Sequence, residues 1–303
     1  MPVFYEWNEE KIWRTTIQHT FRFVEQHIPH RLFESYGAVP EGEYDAFVAG
    51  SDQVWRPVFF YGDIADAYLR FAQGWPVKRI AYAVSFGVDT WEYTDGQTAV
   101  CARLAKMFDA VSVRESSAVG LCRTHLGVEA AHVVDPTLLL ERADYEALID
   151  GDATPHRGEI LNYILDRNGA KHRIIDSLVQ STGKRSFSVN VDFDDKDAPV
   201  QERIQPSVES WLQGFRDADM VVTDSFHACV FSIIFNKPFY VVGNYERGLT
   251  RVHSLLALFG LEDRLVAPDG TVDLSSQIDW EAVNARRKEL KAKSLDFLSS
   301  VVQ

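Results

Sequence analysis

The sequence predicts an α/β protein of two domains, each built on a mostly parallel β-sheet. Short apolar strands alternate with helical stretches along the chain, and a polar turn follows each strand. The chain has 303 residues, which is long for a single hydrophobic core and sufficient for two. Because parallel strands are joined by helical crossovers, this alternation predicts sheets that are covered by helices on both faces.

The first half contains three strands of this kind. YDAFVAG (44–50) is a short apolar run that ends in glycine, and RIAYAVSFG (79–87) repeats the arrangement. AVSVRESSAVGLCRTHLG (110–127) starts as a strand and continues as a helix, for which Ser116 is the candidate cap. An amphipathic helix is predicted over 9–27. These elements make the first half α/β.

The second half repeats the pattern. We expect a strand over 158–166, a helix over 171–182 and a strand over 184–192. A strand, a turn, a helix and another strand then follow within 218–243. Between these regions apolar residues recur at helical spacing, which predicts one buried helical face formed by Val208, Trp211, Leu212 and Phe215.

The predicted domain boundary lies near 141–157, where charged residues mix with glycine and proline. We therefore expect an N-terminal domain over 1–142 and a C-terminal domain over 143–278. The remaining residues, 279–303, are predicted to form one charged amphipathic helix.

Composition and charge argue against several functions. A formal net charge of −13 opposes sequence-independent binding of nucleic acid, which needs clustered Lys and Arg. No apolar run is long enough for a transmembrane segment, and the first thirty residues lack the apolar core of a signal peptide. The three cysteines have no CxxC spacing, so we expect neither a zinc site nor a disulfide framework. The sequence therefore predicts a cytoplasmic protein.

The most informative candidate site is TDSFHA (223–228). In open α/β sheets ligands bind at the carboxyl ends of strands, and this motif directly follows a predicted strand. Thr223 or Ser225 can cap the following helix, and His227 falls in its first turn, where backbone N–H groups attract anions. His227 could then contact an anion and exchange a proton. The alternative is a half-buried histidine that hydrogen-bonds a neighbouring loop.

A second candidate is GSDQVW (50–55), which follows the first strand. Gly50 permits a tight turn, after which Ser51, Asp52 and Gln53 present three hydrogen-bonding side chains in succession. The alternative is an ordinary N-cap followed by a helical turn.

Arginines follow two other predicted strands. Arg114 comes directly after a strand, where a guanidinium suits bidentate recognition of a carboxylate or phosphate. Arg247 and Arg251 lie in the predicted loop NYERGLTR (244–251), which follows FYVV. These two arginines form a candidate anion clamp in an acidic chain. Surface ion pairs or solvated side chains are the alternative at each place.

Several common motifs are absent. The sequence has no GxxxxGK[ST], no GxGxxG after a strand, no HExxH and no GxSxG, which weakens P-loop, dinucleotide, zincin and hydrolase interpretations. The acidic run DFDDKD (192–197) lacks the turn glycine of a calcium loop and is interpreted as a solvated loop. We predict no bound metal.

Six segments between about residues 44 and 266 can be compared with known families. They are YDAFVAGSDQVWRP, IAYAVSFG, AVSVRESSAVGL, VVDPTLLL, MVVTDSFHACVFSIIFNKPFYVV and TRVHSLLALFGLEDRLV. Together, and in this order, they resemble the blocks of the polysaccharide pyruvyl transferase family.

The resemblance implies two Rossmann-like domains in a GT-B-like arrangement, with the acceptor side in the N-terminal domain, the donor side in the C-terminal domain and the cleft between them. The helix over 279–303 is then expected to cross back to the N-terminal domain. It also implies transfer of the enolpyruvyl group of phosphoenolpyruvate to a sugar diol of a polysaccharide or its precursor, without metal or other cofactor. The implied partners are phosphoenolpyruvate and a sugar or lipid-linked glycan; a homo-oligomer is left open.

Carried over by the resemblance, His227 corresponds to the family histidine that acts as general acid toward phosphoenolpyruvate. Arg114, Ser225, Arg247 and Arg251 are then the predicted donor-binding residues. Asp52 is predicted to orient or deprotonate the acceptor hydroxyl. The predicted acceptor contacts are Ser51, Gln53 and Ser85.

The chain departs from the family pattern at two places. Many family members have an arginine where this chain has Ser225. Family chains also begin with a further βα unit, which the sequence predicts to be missing here. Two alternative functions therefore stay open, a GT-B-type glycosyltransferase that uses a nucleotide sugar and a non-catalytic glycan-binding relative.

Overall fold

The computed structural model describes residues 2–149, 158–192, 195–243, 248–267 and 270–302, with side chains from residue 9 onward. The predicted α/β class with parallel sheets is confirmed, because the described strands form two separate parallel sheets. The strands are β1 (Ala46–Ala49), β2 (Lys78–Val84), β3 (Ala110–Val113), β4 (Ala131–His132), β5 (Ile160–Tyr163), β6 (Ser186–Phe187), β7 (Met220–Thr223), β8 (Phe239–Val242) and β9 (Leu265–Val266).

Helices connect these strands, as the crossover rule for parallel sheets requires. They are α1 (Pro2–Thr16), α2 (Gln18–His27), α3 (Asp95–Ala105), α4 (Ser116–Leu121), α5 (Arg142–Glu146), α6 (Gly169–Thr182), α7 (Val208–Asp217), α8 (Phe226–Ile234), α9 (Thr250–Phe259) and α10 (Trp280–Val302).

The chain forms two compact units, one around each sheet. The four-stranded unit contains Phe33–Leu140, Asn244–Arg264 and Ile278–Gln303, and its strand order is β1-β2-β3-β4. The five-stranded unit contains the remaining residues, and its order is β6-β5-β7-β8-β9. Both units thus contain separate stretches of the chain, whereas the domains predicted over 1–142 and 143–278 are each continuous.

Residues 1–32 differ most from that proposal, since they belong to the five-stranded unit. There α1 contacts the turn Val200–Arg203, and the Gln205 N–H donates to the Thr16 carbonyl at 2.7 Å. The single helix predicted over 9–27 is two helices, because Ile17 leaves helical geometry between α1 and α2.

The four-stranded unit has an aromatic core beside its sheet. Trp55 is fully buried and stacks on Tyr68, with ring centroids 4.3 Å apart. Helix α10 packs against the same unit, where Phe297 contacts Tyr82. This burial gives Trp55 a packing role.

The five-stranded unit buries aliphatic residues between β5, β7, β8 and α6, among them Ile160, Val222 and Ile174. The predicted strand over 184–192 is shorter than expected, because Ser188 donates to the Asn190 side chain at 2.7 Å and turns the chain after β6. The residues around the predicted boundary at 150–157 lie outside the described residues.

Candidate functional site

The carboxyl ends of β1, β2 and β3 bring three predicted polar segments to one edge of the four-stranded sheet. The turn after β1 pairs with β2, since the Ser85 N–H donates to the Asp52 carbonyl at 2.9 Å. Gly50 has a φ of +125°, and a Cβ there would lie 2.1 Å from the Tyr82 carbonyl oxygen. Only glycine therefore allows the turn that carries Asp52.

Asp52 and Arg114 lie in contact at this edge. Arg114 Nη2 donates to Asp52 Oδ1 at 2.7 Å, and its Nη1 donates to Asp135 Oδ2 at 2.5 Å. The Arg114 side chain is 1% exposed, while that of Asp52 is 58% exposed. Burial lowers the pKa of Arg114, but the carboxylates of Asp135 and Asp52 raise it more, so the guanidinium stays charged.

Arg251 reaches the same carboxylate from a different element. The sequence analysis placed it in a loop, which is wrong: Arg251 lies in the first turn of α9 and is buried. Its Nη1 lies 3.4 Å from Asp52 Oδ1. Burial and the charge of Arg114 lower the pKa of Arg251 to about 10, against the opposing effect of Asp52. The raising effects of Asp52 and Glu115 on the pKa of Arg251 therefore offset burial and the charge of Arg114 only in part.

Gly248 places α9 against the loop after β2. Its φ is +89°, and a Cβ there would lie 2.0 Å from the Gly87 carbonyl oxygen. This approach brings the start of α9 to the edge that carries Asp52. Arg247 lies outside the described residues, so its predicted donor contact stays a prediction.

Glu115 holds the loop after β2 from inside the unit. It is fully buried, and its Oε1 accepts from the Ser85 hydroxyl, the Phe86 N–H and the Gly87 N–H at 3.0, 2.8 and 3.1 Å. Burial raises the pKa of Glu115, against the opposing charge of Arg114. Ser85 is fully buried as well, so its hydroxyl supports the loop, and its contact with a sugar stays a prediction.

Gln53 is engaged by a third arginine. Arg56 Nη1 donates to Gln53 Oε1 at 3.2 Å, and the same guanidinium forms a bidentate pair with Glu92 at 2.9 and 3.1 Å. Ser51 is half-buried beside Asp52 in the turn. The acceptor roles of Ser51 and Gln53 stay predictions.

The sequence analysis missed Asp135, Arg56 and Glu115 as members of this cluster. Asp135 follows β4 and precedes a proline, so the strand-end rule that selected Arg114 also applies to it. Glu115 follows Arg114 in the same segment but has no motif of its own.

His227 and Ser225 belong to the five-stranded unit. The sequence offered Thr223 or Ser225 as the cap of this helix, and Ser225 is the N-cap of α8. Its hydroxyl accepts from the Ala228 N–H at 3.5 Å. His227 is half-buried in the first turn, with its ring edge-on to Phe226 at 5.3 Å. As the cap, the Ser225 hydroxyl accepts one bond, and its predicted contact with phosphoenolpyruvate stays a prediction.

No metal centre is found in the part of the chain that the structure describes, since no three His, Cys, Asp or Glu side chains gather there. Of the acidic run 192–197, residues 193 and 194 lie outside the described residues. Cys101, Cys122 and Cys229 are buried free thiols. None of the described helices is both long enough and apolar enough to cross a membrane.

Comparison with known proteins matches one family model and several solved structures. The family model described as polysaccharide pyruvyl transferase matches residues 2–246. Among solved structures, UGT2 of Phytolacca americana, complexed with UDP-2fluoro-glucose and pterostilbene, has a TM-score of 0.40 at 12% identity. The match covers 78% of this chain and 72% of that one.

A second solved structure, titled as the glycotransferase of kitacinnamycin, has a TM-score of 0.33 at 15% identity. The match covers 86% of this chain and 71% of that one. A search of the curated proteins finds no match to the sequence.

Proposed function

Because the chain belongs to the polysaccharide pyruvyl transferase family, we propose that it transfers the pyruvyl unit of phosphoenolpyruvate to a diol on a sugar. Family membership makes the protein a transferase. We further propose that the donor is phosphoenolpyruvate and that the acceptor is a polysaccharide or a lipid-linked glycan.

The observation that carries the donor assignment is the convergence of Arg114 and Arg251 on the single carboxylate oxygen of Asp52. Two buried guanidinium groups share one anionic atom, and the pKa of Arg251 is lowered to about 10. A carboxylate or phosphate bound beside Arg251 would offset its charge, since paired charged hydrogen bonds are strongest in a buried setting. Phosphoenolpyruvate offers both groups.

His227 is the proposed general acid. It would deliver a proton to the methylene carbon of phosphoenolpyruvate, which leaves positive charge on the neighbouring carbon. One sugar hydroxyl forms a C–O bond at that carbon, the C–O bond to phosphate breaks, and the second hydroxyl closes the ketal. Of the two hydroxyl protons, one restores the proton of His227 and the other leaves with inorganic phosphate.

Asp52 is the proposed acceptor-orienting group. Its side chain is 58% exposed, and its Oδ1 is already held by two arginines. This geometry favours orientation of a sugar hydroxyl over removal of its proton, because Oδ1 already accepts from two guanidinium groups. Ser51, Gln53 and Ser85 complete the proposed acceptor side.

We propose that arginines supply the positive charge for this reaction, so that it proceeds without a metal or other cofactor. We also propose a cytoplasmic location, where the three buried cysteines would remain thiols.

The test is release of inorganic phosphate from phosphoenolpyruvate across a panel of sugar diols. The wild-type chain should release phosphate only when a suitable diol is present. His227→Ala should abolish the release and keep the far-UV circular dichroism spectrum of the folded wild-type protein. A nucleotide released from a nucleotide sugar, with no phosphate from phosphoenolpyruvate, would establish a glycosyltransferase instead. Near-normal turnover by His227→Ala would remove His227 from the mechanism.

A further inference from the structure

A buried ion pair joins α6 to the segment that leads into α8. Lys171 lies in the first turn of α6 and is 4% exposed. Its Nζ donates to Asp224 Oδ2 at 2.7 Å and to the Asp166 carbonyl at 2.7 Å. Asp224 directly follows β7, and its side chain is fully buried.

The Asp224 carboxylate also binds the loop that follows β5. The Leu165 N–H donates to Oδ1 at 2.7 Å, and the Asp166 N–H donates to Oδ2 at 3.0 Å. The Asp224 side chain, which belongs to the segment after β7, therefore binds two backbone N–H groups of the loop after β5.

Thr223 links the same two strands where they end. Tyr163 and Thr223 are the last paired residues of β5 and β7. The Thr223 hydroxyl donates to the Tyr163 carbonyl at 2.6 Å and accepts from the Ser225 N–H at 3.0 Å. This chain of bonds leads from β5 to the N-cap of α8, two residues before His227.

A buried ion pair of this kind is not expected to add much net stability to the folded protein. Removing two charges from water costs about as much as their attraction returns, and apolar replacements of buried pairs are often neutral or stabilising. The best-attested role of a buried polar pair is to fix the register of the elements that it joins. Here it joins two neighbouring strand ends at the edge where α/β sheets bind ligands.

We propose that Lys171 and Asp224 are positioning residues that fix the turn before α8 against the loop after β5, and so set the place of the His227 imidazole. This inference rests on the proposed function, in which His227 is the acid. Neither residue touches the reacting atoms. Their effect passes through the backbone of Thr223 and Ser225.

Steady-state kinetics of Asp224→Asn test this assignment. We expect kcat to fall by about a hundredfold, because displacement of a catalytic group by about 1 Å costs that much, while KM for phosphoenolpyruvate changes less than about twofold. The matched control is Leu178→Ala, which removes a buried side chain of α6 about two turns beyond Lys171. The control should lose stability and keep kcat. A native kcat in Asp224→Asn, or an equal loss in the control, would overturn the assignment.

Thr223→Val is a second test of the positioning role, to be used if Asp224→Asn does not fold. It keeps the side-chain shape and removes the bond to Tyr163 and the acceptor of the Ser225 N–H. We expect a fall in kcat of about tenfold or more with KM retained. An unchanged kcat would contradict the positioning role.

A second readout does not depend on activity. In protein with ¹⁵N-labelled histidine, the signals of the His227 ring are identified by their loss in His227→Ala. They should shift in Asp224→Asn and Thr223→Val and stay in place in Leu178→Ala. If the wild-type chain releases no phosphate, the proposed function fails, whereas unshifted ring signals in a folded Asp224→Asn overturn the positioning role alone.

Discussion

Arg114 is almost completely buried between the carboxylates of Asp52 and Asp135. Asp135 is equally buried, and Arg114 is its guanidinium partner. Asp52 is exposed to water on its other side. The two pairs therefore differ in the effect of losing Arg114. Asp52 would remain in contact with solvent, whereas Asp135 would remain as a carboxylate in the protein interior.

Arg114→Met should lower the free energy of unfolding by about 3–5 kcal/mol, because it leaves Asp135 buried without its cation. Urea denaturation at pH 7.5 measures the change. Adding Asp135→Asn should restore part of the stability, since the uncompensated charge is then absent. A loss below about 1 kcal/mol in the single variant would contradict the burial of this pair.

His132 provides a pH-dependent contribution in the same unit. Its Nε2 lies 3.1 Å from the Arg114 carbonyl oxygen. Burial lowers the pKa of His132 below its ordinary value of 6.5, although that hydrogen bond opposes the shift. The unfolded chain therefore binds a proton more readily than the folded one, and stability is lost as the pH falls below about 6.5.

Acidification from pH 7.5 to 5 should therefore destabilise the wild-type protein more than His132→Gln, which retains an N–H donor but does not titrate. One group can contribute at most about 1.4 kcal/mol per pH unit. Urea midpoints at the two pH values give the comparison. Equal losses in both proteins would show that His132 does not titrate differently on folding.

At the scale of elements, α10 is joined to the four-stranded unit by a buried serine. Ser294 is 1% exposed, and its Oγ accepts from the Val134 N–H at 3.1 Å and donates to the Leu290 carbonyl at 2.9 Å. Phe297, one turn further along, packs near Tyr82. The helix thus supplies a hydrogen-bond acceptor to the segment that follows β4.

Ser294→Ala should lower the free energy of unfolding by about 1–3 kcal/mol, since it leaves a buried N–H without its acceptor. Ser300→Ala on the same helix is the control, because Ser300 is exposed and bonds only to its own helix. The control should change stability by less than about 0.5 kcal/mol. Thermal or urea unfolding of both variants measures these changes. Similar losses of stability in the two variants would contradict the role of Ser294 in anchoring α10.

The strand-end rule predicted part of the cluster from sequence. It selected Asp52 and Arg114, which the structure brings into contact. Arg251 was selected as well, but its helix was missed, although Val252, Leu255, Leu256 and Phe259 fall at helical spacing and are buried. Helical periodicity therefore contained the signal for α9, and the glycine and polar residues before it concealed the start.

Other contacts could not be predicted in this way. The bond between Arg114 and Asp52 spans 62 residues, and that between Lys171 and Asp224 spans 53. Such pairs depend on which strands are neighbours, and the sequence pattern predicts strands without their order. The order of β5 beside β7, which brings Lys171 to Asp224, follows only from the structure.

At the scale of the whole molecule, both units contain residues from distant parts of the chain. The predicted boundary relied on composition and on the strand–helix alternation, which locate elements but not their packing partners. Residues 1–32 and 244–264 show this, since each segment packs with a unit other than the one that its sequence position suggested.

The net charge of −13 makes this a molecule that repels anions at long range. The proposed donor carries a carboxylate and a phosphate, so its binding needs local cations that overcome that field. Arg251 and Arg114 are buried and therefore weakly screened by salt, whereas the surface charges are screened beyond about 10 Å at 0.1 M salt. Binding of the proposed donor therefore depends on these two arginines.

Isothermal titration of phosphoenolpyruvate into wild-type protein, Arg251→Met and Arg123→Met measures that dependence directly. Arg123 belongs to the same unit, is exposed and pairs with Glu129, so its variant controls for loss of one positive charge. We predict saturable heat for the wild-type protein and for Arg123→Met, and binding at least about tenfold weaker for Arg251→Met. Absence of heat with the wild-type protein, or equal affinity in all three, would contradict a donor site at this arginine cluster.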